Sequence, residues 1–324
     1  MFASLSVLAA VLAGLATYTR YKAAVYTRRF PPTGRFETVD GVRLHFVDRP
    51  PRSENADPAD PALVFVHGAS GNLGEPLRAF GDAFDGRYRR IFIDRPGHGH
   101  SQRGAAANAS PAAQAKLLDR LLERLGVERA ILIGHSWGGS VAAAFGVLFK
   151  PRTAGLVFIA PATHPWEGGI TFYYTLTAMP VAGWLFTRFL SLPIAEVWMG
   201  PALRSVFAPE PVPAGYLEDT GVQLVLRPRE FRANACDVAE LHTHVTDLHE
   251  RYREIEAPSV IVTGDRDGVV YAEIHSEGLY RDIPDARLIE LAGAGHMPHH
   301  TRTAVVVALI EEMATTARRR DAAE

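Results

Sequence analysis

The feature that most constrains the fold is a series of short apolar runs, each followed closely by Gly, Pro or a polar residue. The runs are ALVFVHG (62–68), RIFIDRP (90–96), RAILIGHS (129–136), GLVFIAP (155–161), SVIVTGD (259–265) and ARLIELAG (286–293). Runs that are apolar at successive positions indicate parallel strands buried on both faces. Helical patterns separate several of them, such as 111–125 and 136–149. We therefore predict a doubly wound α/β sheet with mostly parallel strands.

Two further segments precede these runs and have a different pattern. Residues 35–40 and 42–48 alternate apolar and polar side chains, and Asp40-Gly41 between them is a hairpin signal. We expect an antiparallel pair near one edge of the sheet. A loop rich in Pro and Asp follows at 50–61.

One interval is too long for a single crossover helix. The run ending at Pro161 and the run beginning at Ser259 are separated by nearly a hundred residues, whereas a crossover needs about a dozen. We predict that 162–256 form a helical cap over the carboxyl edge of the sheet, where open α/β sheets bind ligands. The core would then comprise 35–161 and 257–315, and 316–324 would form a tail.

The amino terminus is apolar. Residues 1–19 carry no charged side chain, and as a helix they would extend about 28 Å, enough to cross a bilayer core. Basic residues follow at Arg20, Lys22, Arg28 and Arg29. We predict a single-pass transmembrane anchor over 1–19, a juxtamembrane linker over 20–34 and a cytoplasmic catalytic domain. The alternative is a signal peptide cleaved near Gly14-Leu15-Ala16, which would give a secreted or periplasmic protein.

Charge and cysteine content exclude several classes of protein. Lys and Arg total 34 against 36 Asp and Glu, so a general nucleic-acid partner is not expected. The single cysteine, Cys236, cannot form an intrachain disulfide or a cysteine-based zinc site. His242 and His244 are not spaced four residues apart as a helical zinc pair would be, and we interpret them as part of a polar helix face. We expect no metal and no cofactor.

The sequence Gly134-His135-Ser136-Trp137-Gly138-Gly139 has the strongest chemical signal. It follows a predicted strand and precedes a predicted helix, which is the context of a G-x-S-x-G nucleophile elbow. Such a turn holds the serine in a strained conformation, and the flanking glycines avoid clashes with the adjacent strand and helix. Ser136 is therefore the candidate nucleophile.

A serine hydroxyl needs a base, and the base needs an orienting group. His296 lies in a glycine-containing loop directly after the last predicted strand, and it is the candidate base. Asp267 follows the strand 259–264 and is the candidate orienting carboxylate, with Asp265 as its rival. His299 and His300 are alternatives to His296, but we place them exposed at the start of the final helix.

The oxyanion formed during attack requires two backbone N–H donors. One candidate is the N–H of Trp137, the residue after the nucleophile. The other is the N–H of Ala69, in the loop His67-Gly68-Ala69 that follows the first parallel strand.

Together these segments resemble the α/β-hydrolase fold superfamily, in the branch with an HG-x oxyanion loop and a cap after the sixth strand. The matching motifs are His67 to Ala69, Asp94 to Ser101, Gly134 to Gly139, Gly264 to Asp267 and Gly295 to Pro298, in the family order over about 35–315. The resemblance implies an eight-stranded sheet. Haloalkane dehalogenases and epoxide hydrolases of this branch carry Asp at the nucleophile position, so Ser136 argues against both activities.

The resemblance and the residues together predict a membrane-anchored, lipase-like serine esterase that cleaves a lipophilic carboxylic ester or related acyl compound. A meta-cleavage-type C–C hydrolase would use the same three side chains and is one alternative. A non-catalytic ligand receptor on a hydrolase scaffold is another.

Overall fold

The computed structural model describes residues 2–54, 56–57 and 59–321. In this part of the chain eight strands form one sheet. They are β1 (Arg35–Val39), β2 (Val42–Arg49), β3 (Ala62–Val66), β4 (Arg90–Ile93), β5 (Ala130–His135), β6 (Thr153–Ile159), β7 (Ser259–Gly264) and β8 (Ala286–Leu291).

The strand order across the sheet is β1-β2-β4-β3-β5-β6-β7-β8. The pairs β1–β2 and β2–β4 are antiparallel, and the other neighbouring pairs are parallel. The predicted mostly parallel eight-stranded sheet is confirmed, with the antiparallel hairpin at one edge.

Helices cover both faces of the sheet. The α-helices of the described residues are α1 (Phe2–Arg29), α2 (Gly74–Phe80), α3 (Pro111–Arg124), α4 (Trp137–Leu148), α5 (Phe172–Ala178), α6 (Pro180–Phe189), α7 (Ser191–Phe207), α8 (Tyr216–Thr220), α9 (Pro228–Leu248), α10 (Ala272–Asp282), α11 (Pro298–Thr301) and α12 (Thr303–Asp321). The predicted tail, 316–324, is helical as far as Asp321, and residues 322–324 lie outside the described residues.

The central strands are buried on both faces because successive side chains point in opposite directions. In β3, Val64 and Val66 belong to the apolar cluster that includes residues of α3 and α4. Leu63 and Phe65 belong to a second cluster, which includes residues of α12. This explains why the strands read as continuous apolar runs rather than alternating ones.

Five helices, α5 to α9, lie between the end of β6 and the start of β7, within the predicted insertion 162–256. Helix α9 reaches the loops at the carboxyl ends of the strands. The side-chain oxygen of Asn234 accepts a hydrogen bond from the Ser70 N–H (2.6 Å) in the loop after β3. The indole N–H of Trp137 donates to the carbonyl oxygen of Asp237 (3.0 Å).

The amino-terminal helix differs from its prediction. Helix α1 does not end with the apolar run at Thr19 but continues through Arg20 and Lys22 to Arg29, so the predicted linker 20–34 is helical over ten residues. Its second half packs on α7, where Lys22 Nζ lies 2.7 Å from a carboxylate oxygen of Glu196. Tyr18 and Tyr26 donate hydrogen bonds to the same carboxylate.

Among the described residues, no helix combines the length and the apolar character that crossing a membrane requires. The transmembrane anchor predicted over 1–19 is not found among these helices.

Candidate active site

Ser136 occupies the turn between β5 and α4, in a conformation that few residues other than glycine adopt. Its φ of 49° and ψ of −119° hold the serine at the head of α4. A Cβ on Gly134 would lie 2.5 Å from the carbonyl oxygen of Gly138, and a Cβ on Gly138 would lie 2.3 Å from that of Val66 in β3. The two glycines are therefore required for the tight strand–turn–helix passage.

The candidate base and the candidate orienting carboxylate are in contact. His296, in the loop after β8, has its Nδ1 atom 2.7 Å from Oδ2 of Asp267, in the loop after β7. Both side chains are almost fully buried. If Nδ1 donates its hydrogen to the carboxylate, the lone pair of Nε2 is left available to accept a proton.

Backbone groups fix the orientation of the Asp267 carboxylate. Its Oδ1 atom accepts hydrogen bonds from the N–H groups of Val269 (2.8 Å) and Val270 (3.0 Å). The rival residue, Asp265, instead accepts a hydrogen bond from the Gly293 N–H (2.7 Å) and braces the loop that follows β8. Of these two carboxylates, only Asp267 contacts the imidazole.

Ser136 and His296 come from neighbouring loops, but no hydrogen bond joins their side chains in the part of the chain that the structure describes. The link between the two loops is made by His135, whose ring lies 4.9 Å from that of His296. Its Nε2 atom donates to the carbonyl oxygen of His296 (3.1 Å). Burial lowers the pKa of His135 well below its usual value, so this side chain is a neutral packing partner and not a base.

The first oxyanion candidate, the N–H of Ala69, is oriented by the carbonyl that precedes it. The Gly68 carbonyl oxygen accepts hydrogen bonds from Nη2 of Arg95 (3.1 Å) and from Nδ1 of His67 (2.8 Å). Because the peptide is planar and trans, the Ala69 N–H points away from these donors. The second candidate, the N–H of Trp137, belongs to the first turn of α4, where N–H groups have no partner within the helix.

The loop that carries Ala69 is held by a buried cation that was not singled out from the sequence alone. Arg95 donates to the carbonyl oxygen of His67 (3.0 Å) and its guanidinium carbon lies 4.1 Å from the centre of the Trp137 ring. Its Nη1 atom lies 2.6 Å from Oδ2 of Asp237 on α9, and both side chains are at most 1% exposed. Burial lowers the pKa of Arg95 to about 10, so the guanidinium stays charged at neutral pH.

A cavity of about 520 Å³ opens at Ser136. Ala69 and Trp137 line it from the core, and Trp166 and Tyr174 line it from the predicted cap. Its size is within the range of small-molecule pockets.

His275 on α10 also lines this cavity, and it was missed from the sequence because its partners are more than a hundred positions away. Its Nδ1 atom accepts hydrogen bonds from the backbone N–H groups of Thr163 (3.1 Å) and His164 (3.0 Å). These donors require an unprotonated Nδ1. Burial, and then the nearby His164, lower the pKa of His275 to about 4.

A carboxylate with two histidines lies directly beside the His296 loop. Glu75 on α2 accepts hydrogen bonds through Oε1 from Nε2 of His299 and from Nε2 of His300 (2.7 Å). The expectation that both histidines are exposed in the final helix is wrong: they lie in α11, and their side chains are buried. Burial alone would raise the pKa of Glu75, but the two histidines outweigh it and hold that pKa well below its usual value.

The same three side chains have ligand atoms within 4.8 Å of one another, so we tested them as a metal site. Histidines that bind a metal through Nε2 normally donate the Nδ1 hydrogen to a second partner. The Nδ1 atoms of His299 and His300 are buried and have no partner among the described residues. The arrangement therefore fits two N–H donors on one carboxylate better than a metal centre. It ties α2 to the loop of His296.

Comparison with known proteins identifies a family and several relatives. A family model described as "Alpha/beta hydrolase family" matches residues 63–309. A "Putative esterase/lipase" of Haemophilus influenzae is 26% identical over 262 residues, covering 78% of this chain and 82% of the relative. A 2-hydroxy-6-oxononadienedioate/2-hydroxy-6-oxononatrienedioate hydrolase of Paraburkholderia phymatum is 27% identical over 274 residues, covering 79% of this chain and 85% of the relative.

Among solved structures, one described as a membrane phospholipase A, a bacterial virulence factor, superposes with a TM-score of 0.68 at 21% identity and covers 98% of each chain. At this identity the likeness shows the fold alone.

Proposed function

The chain belongs to the alpha/beta hydrolase family, and on that premise we propose that it is a serine hydrolase that cleaves a lipophilic carboxylic ester or related acyl compound through an acyl-enzyme on Ser136. The observation that carries the proposal is the Asp267–His296 contact of 2.7 Å in loops next to the strained Ser136 turn. A nucleophile, a base and an orienting group in adjacent loops are the parts that acyl transfer needs.

In the first half of the reaction, His296 Nε2 takes the proton of the Ser136 hydroxyl as its oxygen bonds to the carbonyl carbon. The carbonyl oxygen becomes an oxyanion, which the N–H groups of Ala69 and Trp137 stabilise. The imidazolium, balanced by Asp267, then gives its proton to the leaving alkoxide. The carbon–oxygen bond to the alcohol breaks and the acyl group stays on the serine oxygen.

In the second half, water replaces the alcohol. His296 accepts a proton from the water as its oxygen attacks the acyl carbon, and the same N–H donors hold the second oxyanion. Collapse breaks the bond to the serine oxygen, which regains its proton from His296. The products are a carboxylic acid and the free enzyme, and no cofactor enters either half.

The apolar character of the cavity walls supports a lipophilic acyl group. Trp166 and Ile170 line the cavity together with Leu241 of α9. Such side chains stabilise a bound hydrocarbon chain by removing its surface from water.

A fluorophosphonate probe tests the proposal directly. We expect the wild-type protein to be labelled covalently and to hydrolyse nitrophenyl esters, and we expect Ser136→Ala to lose both properties while keeping its circular dichroism spectrum. Failure of the folded wild-type protein to be labelled would overturn the proposal.

A second candidate is hydrolysis of a carbon–carbon bond next to a ketone. The Paraburkholderia relative favours it, because the compounds in its name carry an oxo group. Rates on a vinylogous 1,5-diketone and on a nitrophenyl ester series, measured on the same preparation, separate the two. We expect the esters to be cleaved faster.

A further inference from the structure

One side of the molecule exposes large apolar side chains from four helices that contact one another. Helix α6 contacts α1, α5 and α7, so their outer surfaces form one continuous face. Among its side chains Phe172 is 76% exposed, Val181 73% and Val197 75%. We call this surface the apolar face. Monomeric soluble proteins rarely leave a patch of this kind uncovered.

The start of α1 makes this face unusual. Residues 4–11 are exposed at every position and include Leu5, Val7, Leu8 and Val11. A helix that is apolar all around its circumference is normally covered by apolar surroundings. Eight helical residues extend about 12 Å, close to the thickness of one leaflet of a bilayer core and well short of two.

Basic side chains outnumber acidic ones on the helices of this face. Residues 1–36 and 168–209 contain a single acidic side chain, Glu196. That carboxylate is already engaged by Lys22 and two tyrosines of α1. Arg20 and Arg204 are exposed on the same helices. A basic rim around apolar side chains complements anionic headgroups above a hydrocarbon layer.

Two exposed tryptophans on this face also favour contact with a membrane surface. Trp184 and Trp198 are 48% and 64% exposed on α6 and α7. Tryptophan is enriched where protein meets the boundary between membrane and water, because its ring is apolar and its N–H can remain hydrated.

The cavity at Ser136 opens beside this face. Its outer wall is formed by 168–171 and Tyr174, and Phe172 between them is directed to solvent. Two side chains of the opposite wall, Val269 and Tyr271, are 45% and 59% exposed. A lipophilic molecule leaving a bilayer at the apolar face would therefore meet the cavity without crossing bulk water.

We propose that the apolar face docks this protein on a bilayer surface that contains anionic lipid, with the first turns of α1 inserted in one leaflet. The contact is with one surface of the membrane, and the polar second half of α1 stays packed on α7. The proposal extends the proposed function by naming where its substrate is taken up, but docking itself requires no turnover.

Flotation with vesicles tests the docking. The Ser136→Ala protein is mixed with vesicles of phosphatidylcholine alone or of phosphatidylcholine with about 30% phosphatidylglycerol. We expect this protein to float with the vesicles that contain phosphatidylglycerol. The substitutions Arg20→Gln and Arg204→Gln should each lower this binding by about fivefold. Because the variant lacks the serine nucleophile, the result is independent of whether the proposed hydrolysis occurs.

Substitutions on the face give the matched comparison. The triple variant Leu8→Ser, Val181→Ser and Trp198→Ser should reduce vesicle binding at least tenfold, since each removes a large apolar side chain from the contact. The control, Tyr280→Ser with Val305→Ser, changes apolar residues that are exposed on α10 and α12 and should bind as before. Circular dichroism checks that all variants fold.

A kinetic experiment links docking to uptake. The triple variant of the apolar face is then made in the protein that keeps Ser136. This face variant should lose hydrolysis of a long-chain ester presented in vesicles and keep hydrolysis of a soluble short-chain ester. If the protein floats with neither kind of vesicle, the proposal is overturned. So does a stable dimer in light scattering that the face variant abolishes, because a second copy would then be the occupant.

Discussion

The buried pair Arg95–Asp237 offers the sharpest test of how this site is held together. Asp237 is fully buried on α9, and its carboxylate faces Arg95 Nη1 at 2.6 Å and Arg103 Nη1 at 2.5 Å. Asp237→Asn keeps the volume of the side chain and removes its charge. It leaves the buried Arg95 guanidinium without a counter-ion.

The expected cost follows from what remains around Arg95. Removing one partner of a buried ion pair typically destabilises a protein by about 3–5 kcal/mol. Arg95 would keep its hydrogen bonds to the carbonyl oxygens of His67 and Gly68, which favours the lower end of that range. We therefore expect a loss of about 3 kcal/mol in the free energy of unfolding.

Urea denaturation followed by circular dichroism measures this change. The control is Asp247→Asn, an exposed position on the same helix, which should change the free energy of unfolding by less than about 0.5 kcal/mol. Because Arg95 also orients the peptide before Ala69, the folded fraction of Asp237→Asn should hydrolyse esters more slowly than the wild type. A loss of stability below about 1 kcal/mol would refute the assignment of this pair as a buried structural charge.

Three further changes test the site. Asp267→Asn should lower kcat for ester hydrolysis by about a thousandfold or more with little change in KM, since the imidazole loses its orienting charge; an unchanged kcat would exclude this carboxylate. Gly138→Ala, whose new Cβ would lie 2.3 Å from a carbonyl oxygen of β3, should fail to fold or unfold at much lower urea, whereas Gly268→Ala, with open space around it, should be nearly neutral. The folded pKa of His275 is about 4 against an ordinary 6.5, so its stabilising contribution is complete above about pH 6.5 and is lost as the pH falls towards 4. His275→Asn, whose side-chain oxygen can accept the same backbone N–H groups, should flatten the fall in stability between pH 7 and pH 4.5, and an unchanged slope would count against this role.

The features that the sequence predicted well are those that depend on local patterns. The strands β3 to β7 are buried along their whole length because helices cover both faces of the sheet, so their apolar runs themselves reveal the architecture. The edge strand β8 is only partly buried. The strained turn at Ser136 was predictable because a strand, a tight glycine turn and a helix are consecutive in the chain. The loops of Asp267 and His296 directly follow β7 and β8, and parallel neighbours end at the same edge.

The sequence predicted poorly where a side chain depends on a distant partner. His299 and His300 look like exposed residues at a helix start, because the carboxylate that buries them, Glu75, is more than two hundred positions earlier. Likewise, nothing in the segment after the apolar run reveals that the helix continues to Arg29 and contacts Glu196, far along the chain.

Two residues that sequence analysis did not identify, Asp237 and Glu75, have a common physical role. Asp237 and Glu75 are buried carboxylates, and each joins an element distant in the chain to a loop of the candidate site. A buried carboxylate is costly unless it is paired, so each is stable only when its partners are in place. The oxyanion loop, held through Arg95, and the loop of His296, held through His299 and His300, are therefore positioned by polar contacts whose loss leaves a charge unpaired. Apolar contact is non-directional, whereas these hydrogen bonds fix both a distance and a direction. A site for acyl transfer requires loop positions accurate to a fraction of an ångström.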